Sequence, residues 1–211
     1  MKSTTEGALV AREGYPFIAI SGGLWLLAAL LGWAVAAWIC FLLTVWVVWF
    51  FRNPPRIVPE GEGLIVAPAD GRVIGVGDDP EGDGLRVCIF MNVFNVHVNR
   101  YPVDGEVIAV DYVPGRFINA SFDKASEDNE RNRLTMVTPD GHQVRFVQIA
   151  GLVARRIVCW AGAGDHGRRG DIFGLIRFGS RVDVHVPAGS HIWVRVGQRV
   201  TAGETVLGRL P

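Results

Sequence analysis

The chain has 211 residues, and its 21 lysines and arginines balance its 21 aspartates and glutamates, so its formal net charge is zero. This length accommodates one ordinary soluble domain and an appendage. A neutral chain has no electrostatic footprint for nucleic acid, which excludes nucleic-acid binding as its main function. The cysteines, Cys40, Cys88 and Cys159, are far apart in apolar runs. They have neither metal-ligand nor disulfide spacing, so we expect buried thiols, a reducing compartment and no metal site.

Residues 16–51 contain no charged side chain. A single helix of that length would overshoot a bilayer, which needs about 20 residues. Gly32 divides the run, so it predicts a membrane hairpin over residues 16–52, made of helices 17–31 and 34–51. A buried hairpin of a soluble protein is the alternative, but five of the seven tryptophans precede residue 50, which favours a membrane interface.

Basic residues flank both outer ends of this hairpin, and none lies at its bend. The positive-inside rule therefore predicts that the tail, residues 1–15, and everything after the hairpin lie on the cytoplasmic side of the cell membrane. Pro54 and Pro55 end the second helix and begin a stiff linker over residues 53–63.

From residue 64 to 211 the sequence pattern changes, because short β-type runs alternate with glycine, proline and aspartate. This spacing predicts a mainly β catalytic domain, a compact sandwich or barrel-like fold. Residues 120–133 are polar and charged, and they predict an exposed loop or a short helix. The expected strands include residues 64–66, 72–76, 85–90, 107–113, 134–138, 143–149, 157–160, 182–186 and 192–196.

Two stretches, residues 163–174 and 196–208, share a glycine pattern typical of the hammerhead-like elements of biotinyl and lipoyl carriers. The pattern offers a rival function, that of a non-enzymatic, membrane-bound swinging-arm module. Such a carrier needs a modifiable lysine at a hairpin tip, and the sequence has no lysine after Lys124. The carrier interpretation is therefore disfavoured.

The pair Gly179-Ser180 lies between an apolar run and the alternating residues 182–186. A Gly-Ser pair between strands usually forms a turn or bulge, because glycine tolerates positive φ and serine bonds to its own backbone. The sharper interpretation is that Ser180 is a nucleophile aimed at the carbonyl of Gly179, which has no side chain to block the approach. This stretch alone leaves both interpretations open.

Asn95, His97 and Asn99 alternate with apolar residues, and Arg100 follows them. Three polar groups on one face of a strand predict the surface of a site, so His97 is the candidate catalytic histidine. Asp70 precedes a glycine, and Asp-Gly is primarily turn chemistry, although an aspartate that orients a histidine would be buried beside it. We expect the other histidines to face solvent (His142, His166 and His191) or to lie half-buried in a strand (His185).

Taken together and in order, these stretches resemble the phosphatidylserine decarboxylase family in its shorter form. The N-terminal run that ends in Phe50-Phe51-Arg52-Asn53-Pro54 is also similar to short-form members. The matching stretches are residues 68–71, 90–105, 113–115, 129–131, 148–157 and 174–187.

The resemblance implies a proenzyme that processes itself. Ser180 would attack the carbonyl of Gly179 to form an ester, and β-elimination would then cut the chain. The former serine would become a covalent pyruvoyl group at the start of a small chain, residues 180–211, which stays associated with residues 1–179. That cofactor would form a Schiff base with phosphatidylserine and accept the electron pair when CO₂ leaves, giving phosphatidylethanolamine.

The resemblance also assigns roles to particular residues. Asp70 matches the family aspartate that supports self-cleavage, and His97 matches the histidine beside the pyruvoyl group. Longer members have a second histidine where this chain has Arg100. Either His97 does both tasks or another residue such as His185 assists, because arginine cannot act as a base. Arg100, with Asn95 and Asn99, is the predicted substrate-binding set, and its guanidinium could clamp a phosphate or carboxylate.

The hairpin favours a lipid substrate, because a soluble amino acid would need no membrane anchor. The alternatives are a pyruvoyl decarboxylase of a related serine lipid or of a soluble amino acid, and a membrane protein with a decayed site. A homo-oligomer is compatible with each of these.

Overall fold

The computed structural model describes residues 7–115, 129–151, 156–177 and 180–211. The chain divides between Pro55 and Arg56 into a helical unit and a mainly β unit. The fold class predicted from the sequence, mainly β with an N-terminal helical hairpin, is confirmed.

The helical unit is a hairpin of α1, Tyr15–Leu30, and α2, Ala34–Phe50, preceded by a 3₁₀ turn over Arg12–Gly14. Gly32 makes the bend at a φ of 72°, which glycine adopts without the cost that a side chain would add. Trp25 and Phe41 pack the helices together, with ring centroids 5.5 Å apart.

The outer ends of the hairpin are tied to each other. The amide of Ala11 donates to the carbonyl of Phe51 at 2.8 Å, and Asn53 Nδ2 donates to the carbonyl of Ala8 at 2.9 Å. Most apolar side chains along both helices are exposed. One helical segment, Arg12–Leu30, is long and apolar enough to cross a membrane, and Ala34–Phe50 is slightly shorter.

In the residues that the structure describes, fourteen strands build the β unit. They are β1 Leu64–Val66, β2 Gly71–Asp78, β3 Leu85–Met91, β4 Val98–Arg100, β5 Gly105–Val113, β6 Arg131–Val137, β7 Gln143–Ala150, β8 Ile157–Cys159, β9 His166–Gly167, β10 Ile172–Ile176, β11 Ser180–Val186, β12 His191–Ile192, β13 Arg199–Val200 and β14 Val206–Arg209.

Eight of these strands form one antiparallel sheet in the order β13-β2-β3-β11-β7-β6-β5-β9, which curls into a half-barrel. Alternate residues on its inner face, such as Ile89, Phe146 and Val182, are fully buried in the hydrophobic core. The two stretches that share the glycine pattern contribute β9 and β13, which lie at opposite edges of this sheet.

Two three-stranded sheets complete the unit, with orders β4-β10-β8 and β1-β14-β12. Strand β10 is buried throughout and is flanked by β4 and β8, so it brings the residues after His97 alongside the segment that leads to Ser180.

Three local predictions were wrong. The expected strand 192–196 ends at Ile192, because a turn follows in which the amide of Gln198 donates to the carbonyl of Arg195 at 3.1 Å. Part of the expected polar loop, residues 120–128, lies outside the described residues, but Arg131–Val137 is strand β6. Its inward-facing polar residue, Asn132, is buried and bonds to Gln148, so this polar residue is not exposed to solvent. Residues 95–99 were expected to form one strand with a polar face, but only Val98–Arg100 is strand, and Asn95 lies in a turn.

Candidate active site

Ser180 is the first residue of β11, the strand that lies between β3 and β7 in the large sheet. It pairs with Met91 on one side and Ala150 on the other. Its side chain is fully buried, and its Oγ lies 3.9 Å from the sulfur of Met91. The inward face of β11 therefore presents Ser180 to the interior. Gly179 lies outside the described residues, so its predicted role stays a prediction.

A chain of buried side-chain amides lies in the interior beside this serine. Gln148 Nε2 donates to Asn99 Oδ1 at 2.9 Å, and Asn132 Nδ2 donates to Gln148 Oε1 at 3.2 Å. Asn99 Nδ2 lies 3.7 Å from the sulfur of Met91, which also contacts Ser180. The three amides are at most 3% exposed, so they form a polar surface shielded from water.

Gln148 and Asn132 were not predicted from the sequence as site residues. The available signal was that each lies on the inward face of its strand, where the other residues are apolar and a polar residue needs a partner. Gly174 in β10 belongs to the same construction. A Cβ there would lie 2.8 Å from Gln148 Nε2 and 2.6 Å from the carbonyl of Val158, so only glycine lets the amide approach.

His97 is completely buried beside the end of β10. Its carbonyl accepts from the amide of Ile176 at 3.2 Å, four residues before Ser180 in the chain. Its Nδ1 lies 3.0 Å from the carbonyl of Asn95. Because a carbonyl only accepts, we assign the proton of the neutral ring to Nδ1, which leaves Nε2 as the nitrogen that can take up a proton.

The turn between Met91 and His97 is closed by its own asparagines. Asn92 Oδ1 accepts from the amide of Phe94 at 2.9 Å, and Asn95 Oδ1 accepts from the amide of Asn92 at 2.9 Å. Asn95 is therefore a turn-forming residue whose carbonyl orients His97. The sequence-based prediction that it contacts substrate remains a prediction.

Asp70 lies just before β2 and is bound by groups other than His97. Arg56 Nη2 lies 2.9 and 3.0 Å from its two carboxylate oxygens, and the amide of Ala202 donates to Oδ1 at 2.8 Å. Strand β3 lies between β2 and β11, so strand spacing separates the backbones of Asp70 and Ser180 by about 10 Å. The predicted part of Asp70 in self-cleavage stays a prediction.

Arg100 belongs to the same polar cluster as Asp70. Its Nη1 donates to the carbonyl of Gly170 at 2.8 Å, and its amide donates to the carbonyl of Pro68 at 2.9 Å. Burial and then the positive charge of Arg56 lower the pKa of Arg100, although its guanidinium remains protonated. Sequence reasoning treated Arg56 only as a charge that flanks the hairpin. The folded β unit makes it the partner of Asp70.

His185 lies on the opposite face of the sheet from Ser180, because the two residues are five apart in one strand. Its Nδ1 lies 2.9 Å from Asp79 Oδ1, and Arg145 Nη2 lies 3.0 Å from Asp79 Oδ2. The suggestion that His185 assists His97 is therefore wrong, since the sheet itself separates the two. Within the described ranges, no three histidine, cysteine, aspartate or glutamate side chains cluster closely enough to hold a metal ion.

The fold and site define a mainly β protein with a buried serine, a buried histidine and a paired amide network in its interior. Comparison with known proteins shows the family to which it belongs. The family model for phosphatidylserine decarboxylase matches residues 43–208. The chain belongs to the phosphatidylserine decarboxylase family, a family of carboxy-lyases, which confirms the resemblance seen in the sequence.

Close relatives span the whole chain. It is 52% identical to the phosphatidylserine decarboxylase proenzyme of Aromatoleum aromaticum over 218 residues, covering 100% of both chains. It is 52% identical to the proenzyme of the same name from Burkholderia mallei over 207 residues, covering 96% of each. The corresponding protein of Syntrophus aciditrophicus is 51% identical over 209 residues, covering 95% of this chain and 97% of that one.

Proposed function

We propose that this chain is the proenzyme of a membrane-bound phosphatidylserine decarboxylase that cuts itself between Gly179 and Ser180. The observation that carries the proposal is the position of Ser180, buried at the start of a central strand beside a paired amide network. Relatives that match the full chain are named proenzymes of this activity.

The self-cleavage begins at Ser180. Its Oγ adds to the carbonyl carbon of Gly179, the peptide C–N bond breaks, and the proton of the hydroxyl is transferred to the released amine. Removal of the Cα proton of residue 180 then expels Gly179 as a carboxylate, and hydrolysis with loss of ammonia leaves a ketone at residue 180. Burial of Ser180 supports this route, because it keeps bulk water from intercepting the ester, and the one water molecule that the final hydrolysis consumes enters after the elimination.

The described residues suit a pyruvoyl group at this position. The group supplies a ketone that takes the substrate amine and accepts the electron pair left when CO₂ departs. Asn99 and Gln148 offer amide donors on the inward side of β11, and Met91 packs against the residue 180 side chain. These neighbours would hold a small polar carbonyl group and shield it from bulk water.

We assign proton transfer to His97. Its ring orientation is fixed by the bond from Nδ1 to the carbonyl of Asn95, so Nε2 is the atom that delivers or takes a proton. The connection from His97 to Ile176 supports a position near Ser180. Asp70 acts earlier in this proposal, in self-cleavage, and its distance in the sheet favours an effect transmitted through neighbouring groups.

We assign binding of the phosphate in the lipid headgroup to Arg100. The cluster around it carries the guanidinium groups of both Arg56 and Arg100, and nearby carboxylates, among them that of Asp70, offset their charge. A phosphodiester is a suitable ligand for such a cluster, because guanidinium donors match phosphate oxygens. Asn95 and Asn99 complete the proposed substrate set.

The apolar hairpin is the proposed membrane anchor, with the β unit on the cytoplasmic side. The small chain, residues 180–211, stays bound to the large chain because β11 pairs with β3 and β7 along its length. Association into a homo-oligomer is compatible with this arrangement.

Intact mass measurement of the purified protein tests the proposal. We expect two chains, residues 1–179 and 180–211, with a blocked small chain that releases CO₂ from phosphatidylserine. Ser180→Ala is the matched control and should remain one inactive chain, since the attacking oxygen is gone. A single uncut chain that is nonetheless active would refute the pyruvoyl mechanism. Activity on free serine but not on the lipid would instead favour the soluble-substrate alternative.

A further inference from the structure

The residue that follows Ser180 has an unusual environment for a charged side chain. Arg181 is only 1% exposed, and it is the bulkiest of the fully buried side chains in the described ranges. Strand alternation places it, with Asp183, on the opposite face of β11 from Ser180. Burying an arginine is costly unless its charge and its donors are matched, so its partners are informative.

Arg181 has partners both for its charge and for its hydrogen-bond donors. Its Nη2 donates to Asp183 Oδ2 at 2.8 Å and to the sulfur of Cys88 at 2.9 Å, and its Nε donates to Asp183 Oδ1. Asp183 is 1% exposed and pairs opposite Cys88 in the β11–β3 register. Burial raises the pKa of Cys88 to about 12, so its thiol is neutral and its sulfur can accept.

The charge of Arg181 persists in this environment. Burial by itself would lower the pKa of Arg181, but the carboxylate of Asp183 and the hydrogen bonds to it raise that pKa above its ordinary value. Arg181, Asp183 and Cys88 therefore form a buried, hydrogen-bonded cluster, called here the Arg181 cluster, that joins β11 to β3.

We propose that the Arg181 cluster holds the pyruvoyl-bearing end of the small chain in place after self-cleavage. This inference rests on the proposed function, because cleavage would make residue 180 the first residue of a chain and Arg181 the second. Chain ends usually fray unless they are tied down. The amide nitrogen of Arg181 would carry the pyruvoyl group directly, so fixing Arg181 fixes the reactive carbonyl. Arg181 is a positioning residue in this scheme and does not touch substrate.

The cluster also opposes a shift in strand register. A slip of β11 by one residue would turn its whole inward face outward. It would move Arg181 and Asp183 into the hydrophobic core and residue 180 to the wrong side of the sheet. Fixing register is the best-attested use of buried ionic groups, and an apolar side chain at position 181 would impose no such penalty.

The test uses the full-length enzyme and the double variant Arg181→Met with Asp183→Leu. Removing both charges leaves neither one buried without its partner, so we expect the fold to be retained. We expect self-cleavage to proceed, kcat for phosphatidylserine to fall about 10- to 100-fold, and KM to stay unchanged, because a misplaced reactive atom costs rate. Hydrogen exchange across residues 180–186 and hydrazone formation with phenylhydrazine should both become faster.

Arg86→Met is the matched control. Arg86 also lies on the outward face of β3, and it lines the same small cavity, of about 150 Å³, as Arg181 and Cys88. Unlike Arg181, it is not the chain neighbour of residue 180, which would become the cofactor. Its loss should leave cleavage, kcat, hydrogen exchange and hydrazone formation at wild-type values.

Arg181→Lys provides a second test should the double variant not fold. Lysine keeps the charge but cannot donate in a fork to Asp183 and Cys88, so a smaller fall in kcat with faster hydrazone formation is expected. Wild-type kcat and exchange in either folded variant would overturn the proposal. A folded variant that no longer cleaves would overturn it too, by assigning Arg181 to processing. Failure of the wild-type chain to cleave would count against the proposed function instead.

Discussion

Gln148 offers a direct test of the buried amide network, through the variant Gln148→Met. Methionine has a similar length, but it leaves Asn99 Oδ1 and Asn132 Nδ2 buried without the partners they have in the structure. Each unsatisfied buried group costs about 1–3 kcal/mol, so the free energy of unfolding should fall by about 2–6 kcal/mol. That is a large part of the 5–15 kcal/mol that stabilises a typical domain, given as a rough range.

The measurement is thermal unfolding in detergent, followed by tryptophan fluorescence, with every variant also carrying Ser180→Ala so that all chains are uncut. At roughly 2–4 °C per kcal/mol for a chain of this size, Tm should fall by at least about 4 °C. Gln143→Met is the control, because Gln143 is exposed at the start of the same strand and should change Tm little. Equal Tm values for the two variants would refute the argument that the network is fully paired and buried.

Four further predictions concern the site and its surroundings. His97→Ala should lower kcat of already cleaved enzyme by about 10²- to 10⁴-fold, measured as CO₂ release, and an unchanged kcat would remove it from proton transfer. Asp70→Asn should slow appearance of the two chains on denaturing gels, and normal cleavage would contradict its role. Arg100→Lys should chiefly raise KM, because a point charge replaces a fork; loss of self-cleavage at constant KM would place it in processing instead. Burial, followed by repulsion from Arg145, lowers the pKa of His185. Below about pH 6.5 the unfolded chain therefore binds the proton more readily than the folded chain, and stability should decline as pH falls. The decline should be less steep in His185→Gln, and parallel curves of stability against pH for the two proteins would refute this.

Features with a local physical cause could be read from the sequence. An uncharged run with one glycine inside it specifies two apolar helices and a bend, and α1 and α2 end within two residues of the expected positions. Alternation of apolar residues likewise predicted β1, β3, β7 and β11, because each inward position must be buried whatever its neighbours are. The resemblance to a family came from ordered motifs, and it carried the candidate site residues with it.

What only the tertiary structure decided is which polar residues meet. Asn132 and Gln148 face each other in the consecutive strands β6 and β7, but Asn99 lies 49 residues before Gln148, and nothing local indicates that their amides are paired. For the same reason residues 131–133, the first part of β6, looked like part of a solvated segment, since pairing partners rather than composition determine whether a polar side chain can be buried.

Strand pairing also decided the surroundings of the charged residues. Asp70 was expected mainly as a turn residue, yet it bonds to Arg56 and to the amide of Ala202, which lies 132 residues away in the chain. His185 and Ser180 are close in sequence, but an odd separation in a strand puts them on opposite faces of the sheet. Sequence determined the face that each side chain takes along its own strand, and the register between strands determined what each face meets.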